Sequence, residues 1–129
     1  MRESVAALAL SLLLVSSAFA AGQVEVLPPG SAYNSVAATP AAQIPALCAS
    51  IIANQNKNSV AMADAGRLLF HGELMGQHCV RLDYVHGVIL SQRSGDEFQY
   101  ETYVRLLRQQ AASGDRVSAS ALAKLHLGP

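Results

Sequence analysis

The residues best equipped for chemistry lie between positions 78 and 86: His78, Cys79, Asp83 and His86. Cys79, Asp83 and His86 fall at i, i+4 and i+7, a spacing that gathers side chains on one face of a continuous helix. All three are metal-ligand types, and a thiol beside an imidazole is also the pairing of a cysteine nucleophile with its base. A metal centre would need a further ligand and a nucleophile a third, orienting group, and no residue stands out for either role. No metal site is therefore assigned, and this set is kept as the alternative reading. The same thiol has a competing use. Cys48 and Cys79 are the only cysteines, each on the apolar stripe of an expected helix, and a structural disulfide between them is the leading reading. Two buried free thiols or a redox couple are the alternatives, although no C-x-x-C spacing is present to lower a thiol pKa. Closing that loop is worth about 3–4 kcal/mol on the chain-entropy model.

The carboxylates Asp64, Glu73, Asp83, Asp96, Glu97, Glu101 and Asp115 are scattered, and Asp96 and Asp115 read as helix caps. There is no glycine-rich phosphate loop, no G-x-S-x-G turn and no H-E-x-x-H. His71 and His126 fall at expected helix C-termini, where partial positive charge suits the helix dipole. An enzyme is not expected, and neither is a cofactor. Nine Lys and Arg balance nine Asp and Glu for a formal net charge of zero. A nucleic-acid partner would call for a basic surplus to neutralise phosphates, so none is expected.

Positioning begins with the leader. Met1-Arg2-Glu3, the apolar run Val5 to Val15 and Ala18-Phe19-Ala20 have the form of a signal peptide cleaved after Ala20. The run is too short for a spanning helix, which needs roughly 20 apolar residues, so no membrane insertion is expected after cleavage. The domain organisation is then a signal peptide at 1–20, a flexible Pro/Gly/Ala-rich arm at 21–42 and a helical domain at 43–129. The destination is periplasmic or secreted, where a disulfide persists.

Within the domain, Ile44, Leu47, Cys48, Ile51 and Ile52 keep a 3.6-residue period behind Pro45, and polar 54–58 ends that helix. Ser59 is placed to cap a second helix that stops at Gly72, and small Ala63, Ala65 and Gly66 let another helix approach closely. Residues 79–92 fit a helix, while Val80, Leu82 and Tyr84 alternate ahead of Gly87 as in a hairpin; helix is the favoured reading. Asp96 with Gln99 resembles a capping box opening a long helix whose buried stripe is Tyr100, Tyr103, Val104, Leu107 and Ala111. After Ser113-Gly114-Asp115 comes a last helix with Val117, Ala121, Leu122 and Leu125 facing inward. Glu97, Glu101, Arg105, Arg108 and Gln109 form the opposite, charged face of the long helix. Tyr103, Arg105, Arg108 and Gln109 are the expected partner-binding residues, because arginine and tyrosine are common interface anchors.

Ala111-Ala112-Ser113-Gly114-Asp115, followed by Ala121-Leu122-Ala123-Lys124-Leu125-His126-Leu127-Gly128, resembles a Sel-one-like repeat, a relative of the tetratricopeptide repeats. Ala61 to Gly72 is a fainter second match, with Ala65 to Phe70 aligned on Leu122 to Leu127. The two copies lie farther apart than the roughly 34-residue period of such arrays, and the usual tyrosine position holds Leu69 and His126. The resemblance implies an all-α fold of short antiparallel helix pairs and a right-handed stack. It also implies a non-catalytic protein–protein interaction module of the bacterial envelope: an adaptor, an assembly accessory or an inhibitor of a periplasmic enzyme. The competing expectation is a small periplasmic metal-binding protein or enzyme using Cys79, Asp83 and His86.

Overall fold

Four side chains set where helices begin. Asn58, Asp83, Asp96 and Asp115 each accept a hydrogen bond from the backbone N–H three residues ahead, at 2.8, 3.0, 3.0 and 3.2 Å. Each thereby satisfies one of the donors a first turn leaves unpaired. The computed structural model describes residues 27–129; the expected signal peptide and the start of the arm lie outside the described residues. Among the described residues the α-helices are α1 (Ile44–Ala53), α2 (Ser59–His71), α3 (Tyr84–Ser94), α4 (Glu97–Ala112) and α5 (Arg116–Lys124). The fold is all-α in short antiparallel pairs, as expected, with one two-stranded exception. Ser-Gly-Asp punctuates it twice, at 94–96 and 113–115. In both places the glycine takes a positive φ (80° and 99°) behind one helix and the aspartate caps the next.

Three local expectations are corrected. The cap of α2 is Asn58 rather than Ser59, one residue earlier. The helix expected over 79–92 starts only at Tyr84, because Asp83 caps it there. The chain before it turns back in a hairpin, but not at Gly87, which is buried inside α3. The hairpin pairs β1 (Glu73–Leu74) with β2 (Gln77–His78) in antiparallel register, Glu73 opposite His78. Its tip is Met75-Gly76, both at positive φ (49° and 78°), as a tight two-residue loop demands. The arm also differs from a free tether between 27 and 42. Its 3-10 turn Ala32–Ala38 buries Val36, while the Ser31 hydroxyl and the Ala32 N–H donate to the two oxygens of buried Asp64, at 2.6 and 2.8 Å.

The core has two lobes. Val36, Ile44, Ile51, Leu68, Leu74 and Leu90 fill the first, around the N-terminal elements. Phe70, Val88, Val104, Leu107 and Leu122 fill the second, with Tyr103. Leu68 and Leu107 are wholly buried, each contributing about 1.5–3 kcal/mol. The α2–α3 crossing joins the lobes and is the most extensive helix contact. Gly66 and Gly87 make that crossing possible. A Cβ on Gly66 would stand 2.9 Å from the Gly87 carbonyl oxygen, and one on Gly87 would stand 2.9 Å from the Gly66 carbonyl oxygen.

A polar chain braces the same seam. The Gln99 Nε2 donates to Ser91 Oγ (2.8 Å) and to the Ala63 carbonyl (2.9 Å), and Ser91 Oγ donates to the Gly87 carbonyl (2.8 Å). Gln99 therefore does not complete the capping box with its side chain, which reaches inward and ties α4 to α2 and α3. Cys48 and Cys79 form a disulfide with Cα atoms 6.1 Å apart, joining α1 to the segment after β2. Cys79 stands outside any helix, so the expected pairing is present while the expected helical stripe around Cys79 is not.

Candidate functional site

The chemistry-bearing set at 78–86 does not converge. Cys79 is bonded to Cys48, and Asp83 Oδ1 accepts from the His86 N–H as a cap. His78 and His86 are exposed, the former 3.7 Å from the exposed Glu73 carboxylate in a solvated contact. With Asp83 outside the helix it opens, the i, i+4, i+7 geometry does not exist. Among the described residues no group of three or more His, Cys, Asp and Glu side chains could hold a metal ion.

The expected partner-binding residues separate in the same way. Tyr103 is 3% exposed and stacks on Phe70, ring centroids 3.9 Å apart, so it belongs to the core and not to a surface. Its hydroxyl lies 3.4 Å from His71 Nε2, and desolvation together with the Arg67 guanidinium holds the His71 pKa below its ordinary value. Arg67 in turn lies over the Tyr33 ring at 5.1 Å, and burial pushes the Tyr33 phenol well up. These rings lock the arm, α2 and α4 together. Arg108 donates from Nε to the Gly128 carbonyl at 3.0 Å and so holds the C-terminal segment. Arg105 is exposed, and Gln109 borders a shallow depression with Tyr84, Gln110 and Asp115.

A different surface gathers the features of a binding site. Between residues 81–85 and α5 runs a groove of about 430 Å³ whose apolar lining includes Leu82, Val85, Val117 and Ala121. Leu82 is 45% exposed and Val117 60% exposed. Arg81, Arg116 and Lys124 stand around it, with Asp83 as the one carboxylate. Tyr84 separates this groove from the depression beside Gln109, and burial, followed by the nearby Asp115, raises its phenol pKa.

Val117 was expected to face inward, and the reason it does not is local. Ser118 is fully buried instead, its hydroxyl set between the Asp115 carboxylate and Gln110 Oε1, which lies 2.7 Å away. That hydrogen bond holds the Asp115 carboxyl below its ordinary pKa and fixes the rotation of α5 about its axis. Positions 118, 121 and 122 then point to the core, and 117 points out. The sequence does carry a signal for the groove. Arg116, Ser120 and Lys124 repeat every four residues, a polar row with a cation at each end, and apolar Val117 stands one position on from Arg116. Comparison with protein-family models, with curated proteins and with solved structures finds no match to this chain.

Proposed function

We propose that the chain is an exported, non-catalytic protein–protein interaction module of the bacterial envelope, periplasmic or secreted, that works without a cofactor. The observation that carries the reading is the groove beside α5. Two of the four exposed large apolar side chains among the described residues, Leu82 and Val117, line it together. Apolar groups gathered in a polar-rimmed groove mark a surface that gains free energy when another polypeptide covers it. The disulfide supports an oxidising compartment. No helix among the described residues is long and apolar enough to cross a membrane. The antiparallel helix pairs and the repeated Ser-Gly-Asp turns support a Sel-one-like or tetratricopeptide-type arrangement, whose stacked helices serve as contact surfaces.

A photo-crosslinking side chain replacing Val117 in the protein produced in its own host tests this. The expected result is a covalent adduct with a second polypeptide, absent when the same group replaces exposed Arg93. Equal labelling at both positions, or none at 117, would overturn the proposal.

A further inference from the structure

The partner's chemistry can be read from the charges at the same groove. Arg81, Arg116 and Lys124 border it, and none forms an ion pair with a carboxylate among the described residues. The one acid present, Asp83, is engaged by the first turn of α3 through the His86 N–H. In a chain whose formal charge is zero, this is a local cationic excess around an apolar lining. We infer that the groove takes an acidic amphipathic segment of a partner polypeptide, its apolar side chains laid against Leu82, Val85 and Val117 and its carboxylates met by Arg81, Arg116 and Lys124. The inference rests on the interaction-module reading and adds the partner's charge and patterning to it.

The division of labour follows from the geometry. Arg116 and Lys124 lie two helical turns apart on α5, about 12 Å at 1.5 Å per residue, so carboxylates must be spaced along the bound segment. Val117 and Ala121 sit one position on from Arg116 and Ser120, so the segment's apolar groups must lie beside its acidic ones. Guanidinium and ammonium groups at such a rim chiefly set on-rate and charge selectivity, while the apolar lining sets the lifetime of the complex. A bilayer is a poorer fit, because a concave groove holds individual side chains where a headgroup surface meets a convex patch. A second copy is also a poorer fit. The acidic start of α4, with Glu97, exposed Phe98 and Glu101, continues on the same face into Arg105 and Arg108. Docked lengthwise, that face would bring arginine against the cations of α5.

A random peptide library displayed on phage and selected on the mature, oxidised protein tests the inference. Enriched sequences are expected to combine Asp or Glu with apolar residues. A synthetic peptide from that pool should bind about tenfold or more weakly to the R116E/K124E double variant, and should lose affinity as salt rises. Both substitutions are at exposed positions, and an unchanged helical spectrum with an intact disulfide establishes that the variant is folded. V117S supplies an independent arm that removes the apolar contact without adding charge and is expected to weaken binding comparably. Enrichment of basic or uncharged sequences, no enrichment, or binding indifferent to R116E/K124E overturns the inference. So does concentration-dependent self-association of the wild type that R116E/K124E abolishes, or binding to anionic phosphatidylglycerol vesicles in place of peptides. A crosslinked partner at position 117 combined with basic or uncharged selected peptides would leave the interaction-module reading standing and remove only the acidic segment.

Discussion

Gly66 and Gly87 meet across the α2–α3 crossing so closely that each occupies the space where the other's Cβ would need room, with 2.9 Å to the opposing carbonyl oxygen in both directions. Backbone on both sides leaves nothing flexible to give way. Gly66→Ala and Gly87→Ala each gain about 1 kcal/mol of helix propensity but force an overpacking cost of about 1–3 kcal/mol, and separating the helices disturbs both lobes of the core. Each variant should therefore be destabilised, by up to about 2 kcal/mol net, in urea unfolding. A variant at least as stable as the wild type would show that close approach is not the reason for glycine.

Gln99 is the second brace on that seam. Gln99→Ala removes the donor shared by Ser91 Oγ and the Ala63 carbonyl and leaves a void, at about 2–4 kcal/mol for lost buried hydrogen bonds plus a cavity. Because Ser91 Oγ shares the network, the Gln99→Ala and Ser91→Ala losses should be non-additive, with a coupling of about 0.5–3 kcal/mol in a double-mutant cycle. Strict additivity would separate the two residues energetically.

The disulfide closes a separation of 31 residues. Reduction, or Cys48→Ser with Cys79→Ser, should lower unfolding free energy by about 3–4 kcal/mol, with the loss arising mainly from the freed unfolded chain. Thiol titration of the denatured, unreduced protein should find no free sulfhydryl.

Protonation of His71 opposes folding. Its folded pKa lies below the ordinary value of about 6.5, so the unfolded chain binds more protons in that window and stability rises with pH. The contribution is complete above about pH 6.5, is lost as pH falls through the unfolded value, and levels off below the folded one. Urea midpoints for the wild type should fall between about pH 7 and pH 5, and the slope should flatten in His71→Asn. An unchanged slope in the variant would place the titrating group elsewhere.

Asp64 holds the arm through both oxygens. Asp64→Ala removes the acceptors for Ser31 Oγ and the Ala32 N–H, each a hydrogen bond to a charged group worth about 1.5–3 kcal/mol. Amide exchange should accelerate at residues 32–36 while α4 and α5 keep their protection. Uniform acceleration throughout would mean that the arm is an equal part of a single cooperative unit.

Periodicity carried most of the fold into view. The stripes of α1 and α4, the caps Asp96 and Asp115 and the stop at Gly72 depend on neighbours within one or two turns, which is the range over which sequence pattern is informative. Part of what escaped it depends on contacts made at a distance. The arm's seat depends on Asp64, more than thirty residues away in the chain, and the inward turn of Gln99 depends on Ala63 and Ser91. Val117 carries an apolar side chain in a helical stripe, and only the bond between Ser118 and its cap shows that α5 is rotated to expose it. Of the residues expected to meet a partner on α4, Tyr103 finds Phe70 in the core and Arg108 finds the Gly128 carbonyl, while Arg105 and Gln109 stay exposed. The start of α3 is a further case, since a short hairpin closed by Met75-Gly76 takes up the residues that would have extended the helix.

Cys48 and Cys79 stand on opposite sides of the exposed polar link between α1 and α2, residues 54–58. A protease that cuts this link cannot release either piece, because the disulfide keeps the two fragments covalently joined. The link can thus be opened, or a tag spliced into it, without dismantling the domain or touching the α5 groove.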